Sequence, residues 1–316
     1  MNTMKKTAFL FAGQGSQYIG MGKELYDNFE SCRNIFLEAN ESLDMDLAQL
    51  IFAGSKEELD LTENTQPAIV TMSTAVYQAI RSYDIKPDVV AGLSLGEYSA
   101  LTASGVFTLS QVVPLVRKRG RFMQEAVPAG VGKMCAILNL SEDKVREACQ
   151  EASSFGIVEA ANFNCPGQIV IGGENKAVDE AARLAKEKGA LKTLDLAVSA
   201  PFHTSMLKPA AERLRTELEL IVIDDMQIPV ISNVNAEFVS STAKIKELLY
   251  HQVMSSVLWE QTIRNMIADG VQNFVEIGPG KTLSGFVRKV DRSLKVYNVE
   301  NMASLEATVI ALKAEE

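Results

Sequence analysis

Short apolar runs alternate along the chain with longer stretches in which apolar residues recur every three to four positions. The first pattern suits buried strands and the second suits helices with one buried face. Their alternation predicts an α/β protein with a mostly parallel sheet. The apolar runs predict strands over 7–12, 88–92, 230–232, 273–277 and 295–298. The helical spacing predicts helices over 28–43, 68–83, 95–104, 111–126, 210–220, 259–269 and 283–290. Thr108 and Ser110 are N-cap candidates for the helix over 111–126.

The middle of the chain reads differently. A strand over 133–138, a helix over 142–153, strands over 158–162 and 168–171, a helix over 176–188 and a strand over 191–196 follow in order. The two central strands flank a turn, Asn164-Cys165-Pro166-Gly167. This βαββαβ order is the ferredoxin-like arrangement. Pro128-Ala129-Gly130 before it and Ser199-Ala200-Pro201 after it punctuate its ends. The expected organisation is a large α/β subdomain of residues 1–127 and 199–316, with a small subdomain of 128–198 inserted.

Composition narrows the function classes. The 316 residues are 47% hydrophobic and 22% charged, ordinary for a globular protein and enough for a sizeable core. A net charge of −9 argues against a nucleic-acid partner. Four cysteines form no C-x-x-C pair and only two histidines occur, so no metal site is expected and the thiols suit a reducing cytosol. Lys5 and Lys6 before the apolar run 8–12 faintly resemble a signal peptide, but glycine and polar residues at 13–17 cut the run short. No apolar run approaches the roughly 18 residues that span a bilayer, so no membrane partner is expected.

The strongest chemical signal is Gly92-Leu93-Ser94-Leu95-Gly96 between an apolar strand and a helix. In that context G-x-S-x-G is a nucleophile elbow, which projects a serine at a helix start. The competing reading is a serine N-cap on an ordinary βα turn. A serine hydroxyl needs a base. His203 stands in a strand-to-helix loop, and His251 within a helical stretch, so His203 is the candidate. The loop at 13–17 lacks the third glycine of a dinucleotide fingerprint, and Gly280-Lys281-Thr282 lacks the first glycine of a P-loop. The first loop suits an oxyanion instead, its backbone N–H groups acting with that of Leu95.

Together these pieces resemble the malonyl-CoA:acyl carrier protein transacylases. The resemblance rests on FAGQGSQ at 11–17, GLSLGEYSA at 92–100, RGRFMQ at 119–124, NFNCPGQ at 162–168, His203 and EIGPGK at 276–281, and runs from about 6 to 300. It implies a hydrolase-like large subdomain with a ferredoxin-like insert, matching the pattern above. It also implies that Ser94 carries the acyl group, His203 is its base and Arg119 pairs with the malonyl carboxylate. By the same resemblance, the N–H groups of Gln14 and Leu95 form the oxyanion hole, the backbone carbonyl of Gln252 orients the histidine, and Asn162 stands nearby. In related polyketide acyltransferases a bulky residue before the histidine goes with malonyl preference; here it is Phe202. The implied partners are malonyl-CoA and the phosphopantetheine arm of holo acyl carrier protein, without a cofactor, in a cytoplasmic monomer. Many members have histidine before the nucleophile, whereas this chain has Leu93, which cannot ionise or hydrogen bond through its side chain.

An arginine suits the chemistry. Malonyl differs from acetyl by a free carboxylate, which a permanently charged guanidinium holds bidentately. Arg119 lies in the cluster Arg117-Lys118-Arg119-Gly120-Arg121, whose other cations are expected at solvent or the sheet edge. Three rival readings remain at this level. A serine hydrolase or thioesterase would need an acid behind the histidine, and Asp195 is the nearest candidate. An acyltransferase of a polyketide pathway would share the chemistry. A carrier-binding scaffold would not need the intact Ser94, His203 and Arg119.

Overall fold

A computed structural model describes residues 5–128, 130–196, 198 and 200–314. Its strands, in chain order, are β1 (Lys6–Phe11), β2 (Val89–Gly92), β3 (Gly132–Leu138), β4 (Val158–Cys165), β5 (Gln168–Glu174), β6 (Lys192–Asp195), β7 (Val271–Ile277) and β8 (Lys295–Val299). They form two sheets.

The larger sheet has the order β2-β1-β7-β8, with every pair parallel. β1 is central and buried on both faces beyond its first residue, which explains its continuous apolar run. On one face Phe9 and Phe11 meet the Tyr77 ring edge-on, under the helices Thr62–Arg81 and Leu109–Ala126. On the other face Ala8 and Leu10 pack with Trp259, Ile263 and Leu283, from the helices Trp259–Ala268 and Thr282–Val290. Phe11 is level with both Gly92 and Ile277, so β1, β2 and β7 end side by side. Loops at the carboxyl ends of parallel strands form the usual ligand crevice of such sheets.

The smaller sheet is antiparallel, with the order β4-β5-β3-β6. The helices Glu142–Ala152 and Asn175–Glu187 bury Val145, Ala148, Val178 and Ala181 against it, in a core separate from the other two. This is the expected βαββαβ topology. Of the boundary signals, Ala129 and Ser199 lie outside the described residues.

Several expectations are corrected. Residues 230–232 make only isolated bridges, Val230 to Val90 and Ile231 to Phe238, so they line the sheet edge beside β2 without adding a ladder. The helix expected over 28–43 is two helices, Lys23–Asn28 and Glu30–Leu43, because Phe29 takes extended angles and packs against the core. The helix expected to start after Pro67 starts at Thr62 and carries the proline inside. A proline there removes one backbone hydrogen bond. The helix is nevertheless buried along almost its whole length, and packing outweighs local preference. The helices Leu47–Ala53 and Met302–Lys313 were not expected, and the helical stretch expected around His251 is the helix Ile245–Gln252. Thr108, not Ser110, caps the helix Leu109–Ala126, in a capping box with Gln111.

Candidate active site

The nucleophile elbow is built as its sequence requires. Ser94 has φ 53°, the left-handed region that side chains other than glycine rarely enter. A Cβ on Gly92 would lie 1.9 Å from the backbone of Gly96, and one on Gly96 would lie 2.1 Å from the Phe11 carbonyl oxygen. Both positions therefore require glycine. A Cβ on Gly13 would lie 2.5 Å from the Leu93 carbonyl oxygen, so the loop after β1 rests directly on the elbow. No protein acceptor among the described residues takes the N–H of Gln14 or of Leu95. Asn233 braces the turn: its Oδ1 accepts from the Ser94 N–H at 2.6 Å and its Nδ2 donates to the Gly92 carbonyl at 2.8 Å.

His203 is 4% exposed and also has positive φ, 60°. The Ser94 hydroxyl lies 2.6 Å from its Nε2. Its Nδ1 lies 2.8 Å from the backbone carbonyl of Gln252. A carbonyl can only accept, so Nδ1 carries the proton and Nε2 is free to accept from the serine. Gln252 ends the helix Ile245–Gln252, where carbonyls have no partner within the helix. Burial first, and the Arg119 charge second, push the His203 pKa down from 6.5 to about 4. The imidazole is thus neutral near neutral pH, as a base must be.

One prediction follows from this shift. The acid limb of kcat/KM for acylation is expected near pH 4, not 6.5, in a pH–rate profile of the free enzyme. The neutral imidazole also affects stability. Its contribution is complete above pH 6.5 and is lost as pH falls through the window from 6.5 to about 4. An acid limb at 6.5 would show that neither burial nor the arginine acts on the base.

Arg119 is 1% exposed, on the helix Leu109–Ala126. Its Nη1 donates to Gln66 Oε1 at 2.9 Å and its Nη2 to Gln252 Oε1 at 3.0 Å; Nη2 also reaches Ser94 Oγ at 3.4 Å. The Tyr98 ring lies 5.2 Å from the guanidinium carbon. No carboxylate forms an ion pair with it among the described residues. An unpaired charge is costly to bury. Here it is held beside Ser94 by neutral amide oxygens, with donors left for an anion. Glu97 is also buried, and desolvation raises its pKa to about 7 against the hydrogen bonds of Gln252 and Asn233.

These groups border a cleft of about 660 Å³ between the two sheets. Gln14, Ser94, Arg119, Asn162, Phe202 and His203 line it, while Leu95 and Gln252 are buried behind its wall. Asn162 projects from β4 and Phe202 precedes the histidine in its loop. Leu93 also borders the cleft. His251 meets the Tyr250 ring edge-on instead, with 4.9 Å between ring centres. Asp195 is exposed and pairs with Lys133, so it is not the acid of a triad. Gln66, Glu97 and Asn233 were missed as site residues. Asn233 had a signal, a polar residue just past an apolar run at the carboxyl end of the sheet. Glu97 stood within the elbow motif, and Gln66 had none.

The acyl transferase domain model matches residues 8–310. The chain belongs to the acyl transferase family. Within this family it is 50% identical, over 99% of both chains, to the malonyl CoA-acyl carrier protein transacylase of Bacillus subtilis strain 168. The crystal structure of the Clostridium perfringens malonyl CoA-acyl carrier protein transacylase superposes with a TM-score of 0.96 at 48% identity, covering 98% of each chain. A second solved structure, of a type II PKS acyl-carrier protein in complex with its malonyl-transacylase, gives a TM-score of 0.94 at 39% identity, over 97% of this chain and 99% of that one. Likeness at this level and coverage extends over both sheets and all the elements that border the cleft.

Proposed function

We propose that the protein moves a malonyl group from malonyl-CoA to the phosphopantetheine thiol of holo acyl carrier protein, through a malonyl-Ser94 intermediate. The observation that carries this reading is the buried, carboxylate-free Arg119 with Nη2 3.4 Å from the serine oxygen. Such a site is complementary to an acyl group that brings its own carboxylate.

The steps follow from the geometry. His203 Nε2 takes the Ser94 proton as Oγ attacks the thioester carbonyl. The N–H groups of Gln14 and Leu95 hold the oxyanion. The carbon–sulfur bond breaks, and the imidazolium returns its proton to the departing CoA thiolate. The carrier thiol then gives its proton to His203 and attacks the acyl-serine, and the proton returns to Oγ. No third-member acid is needed to fix the histidine, because the Gln252 carbonyl already holds its Nδ1–H. Asn162 and Phe202 act as walls of the acyl site.

The malonylated carrier supplies chain elongation in fatty acid synthesis; the same product would serve polyketide extension. A cytoplasmic site of action is supported by the four cysteines, all buried and none in a disulfide. No helix among the described residues is long and apolar enough to cross a membrane. Residues 128–198 are read as an inserted subdomain that supplies one wall of the cleft, and residues 1–127 with 199–316 as the one that carries the nucleophile, base and clamp.

The test is intact mass after mixing with malonyl-CoA, followed by holo acyl carrier protein. A malonyl adduct on the protein that moves to the carrier faster than to water is expected. Rapid release to water, with none on the carrier, would make the protein a thioesterase.

Phe202 gives a second prediction. Phe202→Ser is expected to raise methylmalonyl-CoA use relative to malonyl-CoA, because Phe202 lines the cleft beside His203 and a smaller side chain there widens the wall. One methyl of steric discrimination is worth about 1–3 kcal/mol, or roughly 10–200-fold. Competition between the two thioesters, read by adduct mass, measures it. An unchanged ratio in a folded, active variant would make Phe202 only a support of the loop.

A further inference from the structure

Glu97 has no place in the steps above, yet it is buried at the centre of the site. Its Oε2 accepts from Gln252 Nε2 at 2.7 Å and from the Asn233 backbone N–H at 3.2 Å. Neither partner is an ordinary neighbour. Gln252 presents its side-chain oxygen to Arg119 and its backbone carbonyl to His203. Asn233 holds the elbow at both Ser94 and Gly92.

We propose that Glu97 is the positioning residue of the site, holding the nucleophile, the base and the carboxylate clamp in register through the hydrogen bonds it accepts from Gln252 and Asn233. This rests on the roles of Ser94, His203 and Arg119 given above.

The decisive point is the orientation of the Gln252 amide. A side-chain amide can turn over, exchanging its oxygen and nitrogen at little intrinsic cost. The Glu97 oxygen that accepts from the Asn233 N–H also faces the Gln252 amide, which requires the NH₂ end to point toward it, and that NH₂ also donates to the Ser94 carbonyl at 2.9 Å. The oxygen must then face Arg119. With the amide reversed, NH₂ would oppose Arg119 Nη2, donor against donor, and the clamp would lose one of its two amide supports. Glu97 therefore sets the polarity of the amide that holds the arginine. The same contact pins the last residue of the helix Ile245–Gln252, and with it the carbonyl that fixes the His203 tautomer. Glu97 does here, one residue removed, what a third-member acid does by touching the histidine. Arg119 is left without a direct acidic partner that would compete with substrate.

Two substitutions separate this role from packing. Glu97→Gln keeps an acceptor oxygen, and Glu97→Leu keeps the bulk without an acceptor. Glu97→Leu is expected to lower serine malonylation roughly 100-fold and to bring the malonyl-over-acetyl preference close to one. Glu97→Gln is expected to keep that preference within about threefold of wild type. With only two histidines in the chain, a long-range ¹H–¹⁵N spectrum reads the His203 tautomer without turnover. The Nδ1–H form is expected in wild type and Glu97→Gln, and a mixture in Glu97→Leu. Thermal melting checks the fold of each variant.

Unchanged preference and tautomer in folded Glu97→Leu would overturn the proposal, as would equal loss for both acyl groups with the tautomer intact. Should Glu97→Leu not fold, Gln252→Met carries the test, since it removes the amide and keeps the backbone carbonyl. Intact malonyl preference in Gln252→Met would show that the amide transmits nothing, and its loss would support the proposal. Absence of any malonyl-serine in wild type would count against the functional reading itself, while the tautomer comparison would still judge Glu97.

Discussion

Ser94→Ala is expected to abolish the malonyl adduct and to reduce transfer to the carrier below detection, with the fold intact. The effect should be the largest of any single substitution, on the order of 10⁶-fold, because removing the nucleophile of an acyl-enzyme pathway disables every later step. The environment explains why no neighbour substitutes. His203 and Arg119 both converge on this one oxygen, at 2.6 Å and 3.4 Å. Alanine is compatible with the rest of the elbow, since the backbone N–H at position 94 keeps its bond to Asn233. Positive φ at this position is already borne by a residue with a Cβ. Intact mass after incubation with malonyl-CoA is the measurement. An adduct at full stoichiometry on the alanine variant would place the acyl group elsewhere and overturn the assignment.

Arg119→Ala is expected to impair malonyl transfer far more than acetyl transfer. A buried, hydrogen-bonded charge pair that loses one partner costs about 2–5 kcal/mol, much of it from the charge left unpaired. That is roughly 30-fold to several-thousand-fold in relative kcat/KM. Acetyl carries no carboxylate and is spared this loss. The substitution also removes a charge that depresses the His203 pKa, so the acid limb of the variant should move upward toward the ordinary histidine range. Steady-state kinetics with both thioesters, and the pH profile of the variant, test the two effects together. Equal losses for both acyl groups, with an unmoved acid limb, would make the arginine structural.

Much of this site was legible before the fold was known. The strand, elbow and helix around Ser94 are local, and G-x-S-x-G carries its own steric logic, which the close contacts at Gly92 and Gly96 explain. His203 followed from the scarcity of histidines. Arg119 was separated from its cationic neighbours only by resemblance, although a physical signal existed. It falls three and four residues after Val116 and Leu115 and just before Phe122 and Met123, on the buried face of its helix. An arginine on an apolar face calls for an explanation. The βαββαβ order of the small sheet was also readable, because each of its elements is short and bounded by turn residues. The helix around Pro67 and the split at Phe29 were not, because packing there overrides local preference.

The sequence by itself determined the residue types and the local geometry: a strained serine turn, a buried parallel strand before it, and a helix with a cation on its apolar face. Tertiary structure alone decided which groups meet. Ser94 and His203 are 109 residues apart, Arg119 and Gln252 133, and Gln252 and Glu97 155. Periodicity reports on neighbours within a turn or two and is silent over such separations. Gly120 shows how the two levels join. Its missing side chain lets the arginine helix approach the Thr62 carbonyl, where a Cβ would lie 2.5 Å away. That close approach brings Arg119 within reach of Gln66 on the helix Thr62–Arg81. The glycine is visible in the sequence, but the contact it permits exists only once the two helices have packed.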